Sequence, residues 1–262
     1  MEIFKKDKIY DFMGKRLAFL GLSSILIVAS IILLLTKGLT FGIDFAGGTI
    51  VQVKYEQAAP LDKIRETLKN TKYGNSTITK FGSDEEIVIR ITGSSSDLTN
   101  DIADEMHKIL NSTGNFEIRR VDMVGAKVGG ELREKGMMAL SLSLIMILIY
   151  LSFRFEWRFA VASVLGLVHD VIIAMGFISL FGVEVNLDIL AAILTLLGYS
   201  INDTIIIFDR IREGLQTTKE TELKEIINQS VSKTLSRTTL TSLTTLFVVA
   251  TLLFFGGEII YG

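Results

Sequence analysis

The sequence predicts a polytopic α-helical membrane protein that carries one extracytoplasmic α+β domain. Three observations carry that prediction. Of 262 residues 49% are hydrophobic, and the mean hydropathy of +0.45 is too apolar for an ordinary soluble domain. Five windows approach the roughly 20 apolar residues that cross a hydrocarbon core. Between the first and second windows, short segments alternate instead between strand and helix periodicity.

The apolar windows fall at 17–35, 137–153, 159–181, 189–208 and 240–255. The first is not a cleavable signal, because its apolar run is too long and no small-residue cleavage pattern follows it. Basic residues in short segments set the orientation. Lys5, Lys6, Lys8, Lys15 and Arg16 precede the first window, and Arg154 and Arg158 lie between the second and third. Arg210, Arg212, Lys219, Lys224 and Lys233 lie between the fourth and fifth. All three groups share one side if every window spans, so that side is cytoplasmic. The chain then divides into a cytoplasmic segment 1–16, a first membrane helix 17–36 and an extracytoplasmic domain 37–136. Membrane helices two to five follow over 137–255 with a cytoplasmic loop at 209–235, and 256–262 form an extracytoplasmic end. A formal charge of −2 gives nucleic acid no electrostatic footing, so none is expected as a partner. The chain has no cysteine, so no disulfide braces the outer domain.

Within 37–136, TIVQVKYE (49–56) alternates as a strand. LDKIRETLKNT (61–71), with Pro60 ahead of it as a first-turn residue, sets Leu61, Ile64 and Leu68 on one helical face. STITKFG and EEIVIRIT alternate again across a polar turn around Ser83 and Asp84. SDLTNDIADEMHKIL puts Leu98, Ile102, Met106 and Ile109 at helical spacing, and FEIRRVDMV (116–124) closes as a strand. Strand, helix, strand, strand, helix, strand is the split βαβ order of a ferredoxin-like βαββαβ domain, with both helices on one face of an antiparallel sheet. A segment of this length buries a core unaided. His107 has no second ligand beside it and reads as solvent-facing, so no metal is expected.

Ionisable groups inside the windows carry the functional signal. In LLGYSINDTIIIFDRIRE (196–213), Asp203 sits in an otherwise apolar run, where a carboxylate costs about 3 kcal/mol on insertion scales. It precedes the charged end at Asp209 and Arg210 by about 9 Å of helix. Arg237 lies at a similar depth if the last helix starts near Ser230, and on an antiparallel neighbour the two would meet. Asn202 and the hydroxyl run SRTTLTSLTT (236–245) supply hydrogen-bond partners suited to helix contacts or a hydrated path. VHDV places His169 and Asp170 near the midplane of the third helix. Two accounts fit these residue types. In one, Asp203 and Arg237 lock two helices as a buried ion pair while His169 caps a backbone carbonyl; in the other, the groups load and unload protons. The glycines of GIDFAGG (42–48) read as a tight turn into the sheet, because no following Lys-Ser/Thr completes a phosphate loop.

Five stretches share their wording with one family. FGIDFAGGT follows the first helix, VGAKVGGELREKGMMAL enters the second, VHDV lies in the third, GYSINDTIIIFDRIRE in the fourth and LSRTTLTSLTTLFVVATLLFFGG in the fifth. In this order they resemble the SecF family of protein-translocase subunits, within the resistance-nodulation-division superfamily, over nearly the whole chain. Ala126 stands where the family usually has proline in a VGP motif, a difference confined to a local turn. The family has six membrane helices, whereas five windows precede GGEIIYG here, so the sixth is expected to be either absent or cut off by a truncated sequence.

The resemblance implies an accessory, non-enzymatic subunit of the Sec protein-export machinery in the bacterial cytoplasmic (inner) membrane. It implies a heterodimer with SecD, and work beside the SecYEG translocon with YajC and YidC. It further implies that the pair draws translocating preprotein outward across the lipid bilayer by the proton gradient, with no cofactor. The family's intramembrane acid falls on Asp203, its partner arginine on Arg237, and Asn202 belongs to the same motif. His169 and Asp170 fall on a second motif and join the expected proton relay. Alternatives are a proton-driven small-molecule transporter half of the same superfamily and a structural scaffold of the translocon. An intramembrane hydrolase would pair a hydroxyl with His169 on a facing helix, but no strained nucleophile turn such as G-x-S-x-G is present.

Overall fold

The computed structural model of the chain describes residues 8–91, 102–217 and 222–255. Lys5, Lys6, Leu98, Lys219 and the 256–262 end lie outside the described residues. In chain order the elements are α1 (Arg16–Thr36), β1 (Thr40–Phe41), α2 (Ile43–Ala46), β2 (Gly48–Tyr55), α3 (Leu61–Lys69), β3 (Thr77–Phe81) and β4 (Ser83–Ile91). There follow α4 (Ile102–Leu110), β5 (Phe116–Val124), α5 (Ala126–Arg154), α6 (Trp157–Phe181), β6 (Glu184–Val185), α7 (Leu187–Thr217) and α8 (Leu223–Phe255). They group into two units. A helical one holds Met1–Thr40, Ala139–Val183 and Asp188–Ala250, and an α+β one holds Phe41–Met138 with Glu184–Leu187.

In the α+β unit the main sheet runs β3-β4-β2-β5 with every neighbouring pair antiparallel, which is the ferredoxin-like order. Register makes the buried face. Val51 pairs with Ile89 and Val53 with Ile87 across β2 and β4, and Ile78 pairs with the same Ile89 from β3. These residues alternate with half-exposed ones, the period of a sheet with one solvated face. The helices lay Ile64 and Leu68 of α3 and Ile102, Met106 and Leu110 of α4 over that face. Leu110, not Ile109, is the fully buried residue of the last α4 turn. The hairpin turns one residue earlier than the polar pair Ser83 and Asp84: both belong to β4, and Gly82, at φ 85°, makes the reversal that a side chain would resist. Inside the core Tyr55 shares a 2.7 Å hydrogen bond with Thr113, and burial raises the phenol above its ordinary pKa. His107 is exposed on α4, its ring 5.1 Å from that of Phe116.

Five helices of the described residues are long and apolar enough to cross a membrane: α1, α5, α6, α7 and α8. Each leaves large apolar side chains exposed, among them Phe19 of α1, Phe153 of α5 and Phe255 of α8, as expected of surfaces facing lipid or partner helices. Within the helical unit α1 packs against α6. Gly176 lets the backbone of α6 approach Ser30, where any β-carbon would overlap the serine. Ser179 donates to Gly38 O at 2.6 Å and Lys37 to Leu180 O at 2.8 Å, tying up the ends of both helices.

Several helices outrun their apolar windows. α5 starts at Ala126, α7 continues to Thr217 and α8 starts at Leu223. The expected loop 209–235 is therefore mostly helix. A hydropathy window closes where charges begin, but backbone hydrogen bonding does not. Arg237 consequently lies about two turns further into its helix than a start at Ser230 implies. Before α1 the chain docks on α8: Tyr10 N donates to Ser232 Oγ at 2.9 Å, and Phe12 N and Met13 N both donate to Asn228 Oδ1.

Candidate functional site

A continuous hydrogen-bonded chain crosses three helices of the helical unit. Ser23 Oγ of α1 lies 2.5 Å from His169 Nε2 of α6. His169 Nδ1 lies 2.8 Å from Asp170 Oδ1, and Ser200 Oγ of α7 donates to Asp170 Oδ2 at 2.6 Å. An ionised carboxylate only accepts, so with Asp170 charged the imidazole donates through Nδ1. Nε2 then accepts from Ser23 when the ring is neutral. His169 thus takes two side chains as partners in place of the backbone carbonyl expected of a purely structural histidine. His169 and Asp170 are both half-buried.

Asp203 follows Ser200 on α7 at i+3, the spacing that places two side chains on one helix face. Ile201, Ile205 and Phe208 of the same helix pack on the cluster of Leu151, Phe155 and Ala160, which fixes the rotation of α7 and leaves Asp203 half-buried. Arg237 of α8 is close enough for its charge to act on Asp203, but among the described residues no ion pair joins the two. The locked pair of the structural account is therefore not formed in this structure. Asn202 and Arg237 are exposed. In the hydroxyl run of α8, Thr241 bonds Arg237 O at 3.1 Å and Thr244 bonds Thr241 O at 2.8 Å. Thr245 instead reaches across to Tyr199 of α7 at 3.1 Å, and Thr238 Oγ1, beside Arg237, is buried with no hydrogen-bond partner.

Ser23, Ser200 and Tyr199 carry contacts that the sequence did not single out. Ser200 had a findable signal in its spacing from Asp203. Ser23 had none, since a serine in an apolar helix announces nothing about the helix beside it.

In the α+β unit, GIDFAGG forms the short α2 and a turn through Gly47 (φ 75°) and Gly48 (φ 147°). A β-carbon on Gly47 would stand 2.6 Å from Ala126 Cα, one on Gly48 2.5 Å from Ile91 O, and one on Gly129 2.9 Å from Gly47 N. These glycines serve backbone packing between α2, β2 and the first turn of α5, in keeping with the tight turn expected of them.

Residues 105–262 match the family described as protein export membrane protein SecD/SecF, C-terminal, and residues 32–59 match the SecD/SecF GG motif. The chain belongs to the SecD/SecF family. Over 99% of its length it is 46% identical to the protein translocase subunit SecF of Calditerrivibrio nitroreducens, 87% of which it covers. It is 47% identical over its whole length to the SecF of Helicobacter pylori strain 26695, covering 81% of that protein. Among solved structures it is similar to SecDF of Thermus thermophilus, a translocon-associated membrane protein, with a TM-score of 0.87 and 33% identity. A SecDF structure in a super-membrane-facing form gives a TM-score of 0.71. The SecD/SecF chain described here covers 98% of itself in these matches but spans 35% of the SecDF polypeptide. Its GG motif is the Gly47–Gly48 turn.

Proposed function

We propose that this chain is the SecF half of a SecD–SecF pair in the bacterial inner membrane, its N-terminus in the cytoplasm, that uses the proton gradient to promote polypeptide export. The observation that carries the proposal is the polar chain Ser23–His169–Asp170–Ser200, leading along α7 to a half-buried carboxylate within reach of the Arg237 charge but not ion-paired with it. Hydroxyl, imidazole and carboxyl groups each accept one proton and release another, so a line of them is a hopping path. Protonation of Asp203 removes the charge that Arg237 feels, and deprotonation restores it. A switch of that kind biases helix position when the two states differ in how they hold α7 against α8. Asn202, beside the acid, is a hydrogen-bond partner for either form.

In this account the energy source is the proton gradient and no cofactor takes part. The preprotein is the substrate, SecYEG delivers it, and YajC and YidC are further associates. The SecF names of the relatives and the translocon association of SecDF support the assignment. The bare apolar faces of α1, α5 and α8 are the surfaces available to SecD and to lipid. The test is preprotein translocation in membranes containing SecD with or without this chain, each measured with the gradient intact and collapsed. A gradient-dependent increment is expected only when the chain is present; equal increments in both membranes would rule the assignment out.

A further inference from the structure

Residues 184–187, which lead from the α6–α7 connection into the start of α7, belong to the α+β unit and are held within it by three separate links. Glu184 forms an ion pair with Arg90 of β4 at 2.6 Å. Val185 O accepts the backbone N–H of Gly42 at 2.9 Å. The N–H of Leu187, first residue of α7, donates to Asp44 Oδ2 at 3.0 Å. A connection this short between two helices needs no such anchoring to close, and its anchors come from positions as distant in sequence as Gly42 and Arg90. Asp44 lies in GIDFAGG, whose glycines are explained by backbone packing; its carboxylate is not. Its oxygen satisfies one of the N–H groups that a helix start leaves open, and its negative charge suits the positive end of the helix dipole. α7 then runs unbroken from Leu187 past Ser200 and Asp203.

We infer that Asp44 is a positioning residue that holds Leu187, the residue where α7 begins, within the α+β unit, with Arg90–Glu184 as a second tie, so that a displacement of α7 driven at Asp203 is delivered along the helix to Leu187. The inference rests on the proton-driven function proposed above and adds the part that transmits its motion. The residues at the chemistry are untouched by it. Proton movement and export should therefore come apart when the fastening fails.

The test uses the full chain with SecD in proteoliposomes and inverted vesicles, reading gradient-driven proton flux and gradient-dependent export together. Asp44→Ala is expected to keep the flux and lose the export increment, whereas Asp44→Asn, which retains an acceptor oxygen, should keep both. A chemical tie then separates lost fastening from lost folding. A β-carbon on Gly42 would lie 3.3 Å from Asn186 Cβ, close to the about 3.5–4.5 Å that a disulfide spans, and the chain has no other cysteine. Adding Gly42→Cys and Asn186→Cys to Asp44→Ala should restore export under a mild thiol oxidant and lose it again on reduction. Wild-type export by Asp44→Ala, in membranes where Asp203→Asn has lost the gradient response, would overturn the fastening while leaving the proton-driven function standing. So would failure of the oxidised disulfide to restore export. A full gradient response by Asp203→Asn would overturn both.

Discussion

Ser200 on α7 donates to Asp170 on α6 across 2.6 Å, and Asp203 lies one helical turn further along α7. The bond ties the helix that carries the acid to the helix that carries the histidine. Ser200→Ala leaves Asp170 Oδ2 without this donor, a loss of about 1 kcal/mol. The SecD-bound protein should melt a few degrees lower and export more slowly under a gradient. Ser200→Thr keeps the hydroxyl and should behave as wild type in both assays.

The turn of the GG motif separates backbone need from side-chain need. Gly47→Ala forces a left-handed φ of 75° on a residue with a β-carbon and drives that carbon into Ala126. About 1–3 kcal/mol of strain is expected from the backbone alone, with overlap added to it. Ala126→Pro should be tolerated, because Ala126 is the first residue of α5, where a missing N–H removes no helical bond and a fixed φ suits the helix. Thermal melts of the two variants should therefore diverge: Gly47→Ala well below wild type, Ala126→Pro close to it.

The α+β domain should fold by itself. A fragment over 40–133 holds the β3-β4-β2-β5 sheet and both helices that cover it, so mixed α/β circular dichroism and one cooperative melt are expected. Met106→Ala, at a side chain with no solvent exposure, should lower the fragment's stability by about 2–5 kcal/mol. A fragment without a melt would mean that the membrane helices complete its core.

The same domain should lose stability at both ends of the pH scale through one cluster. The hydrogen bond from Lys72, then that from Tyr73, hold the Glu105 carboxyl below its ordinary value of 4.5. Burial, followed by the bond to Glu105, raises the Tyr73 phenol above 10.0, and the bond to Glu105 raises Lys72 above 10.5. A depressed carboxyl stabilises the fold above its unfolded pKa, and that contribution disappears as pH falls below about 4.5. Raised phenol and amine values stabilise below their unfolded pKa, and that contribution disappears as pH climbs past about 10. Urea midpoints across this range should therefore show a plateau with two falling limbs. Glu105→Gln should flatten the acid limb, which an unrelated source of acid sensitivity would leave unchanged.

Much of this protein is legible in order and period. Alternation at 49–56 and 116–124 marks strands because one face of the sheet is buried, and apolar runs mark membrane helices because a bilayer demands length. Boundaries are less legible. The turn at Gly82 depends on one backbone angle, and α5 and α8 extend through charged residues that a hydropathy window rejects. Asp203, Arg237, His169 and Asp170 stand out in the sequence because charges are rare in such helices. Their grouping does not. The structure joins His169 and Asp170 to Ser23 and Ser200 while leaving Asp203 and Arg237 unbonded, and which helices lie side by side is a property of packing that no single helix encodes. Asp44 was visible within a motif, but its partner is a backbone N–H, and every residue except proline has one.

The central claim is that Asp203 gains and loses a proton during work. It is tested most directly by gradient-dependent export in inverted membrane vesicles containing SecD and either the wild-type chain or Asp203→Asn. Asparagine keeps the shape and hydrogen-bonding capacity of the side chain but cannot titrate. The account predicts normal levels and normal association with SecD, with the gradient-dependent increment of export abolished; Arg237→Met should impair the same increment. Export by Asp203→Asn that rises with the gradient as in wild type, at equal expression, would contradict it and leave the aspartate as a structural contact.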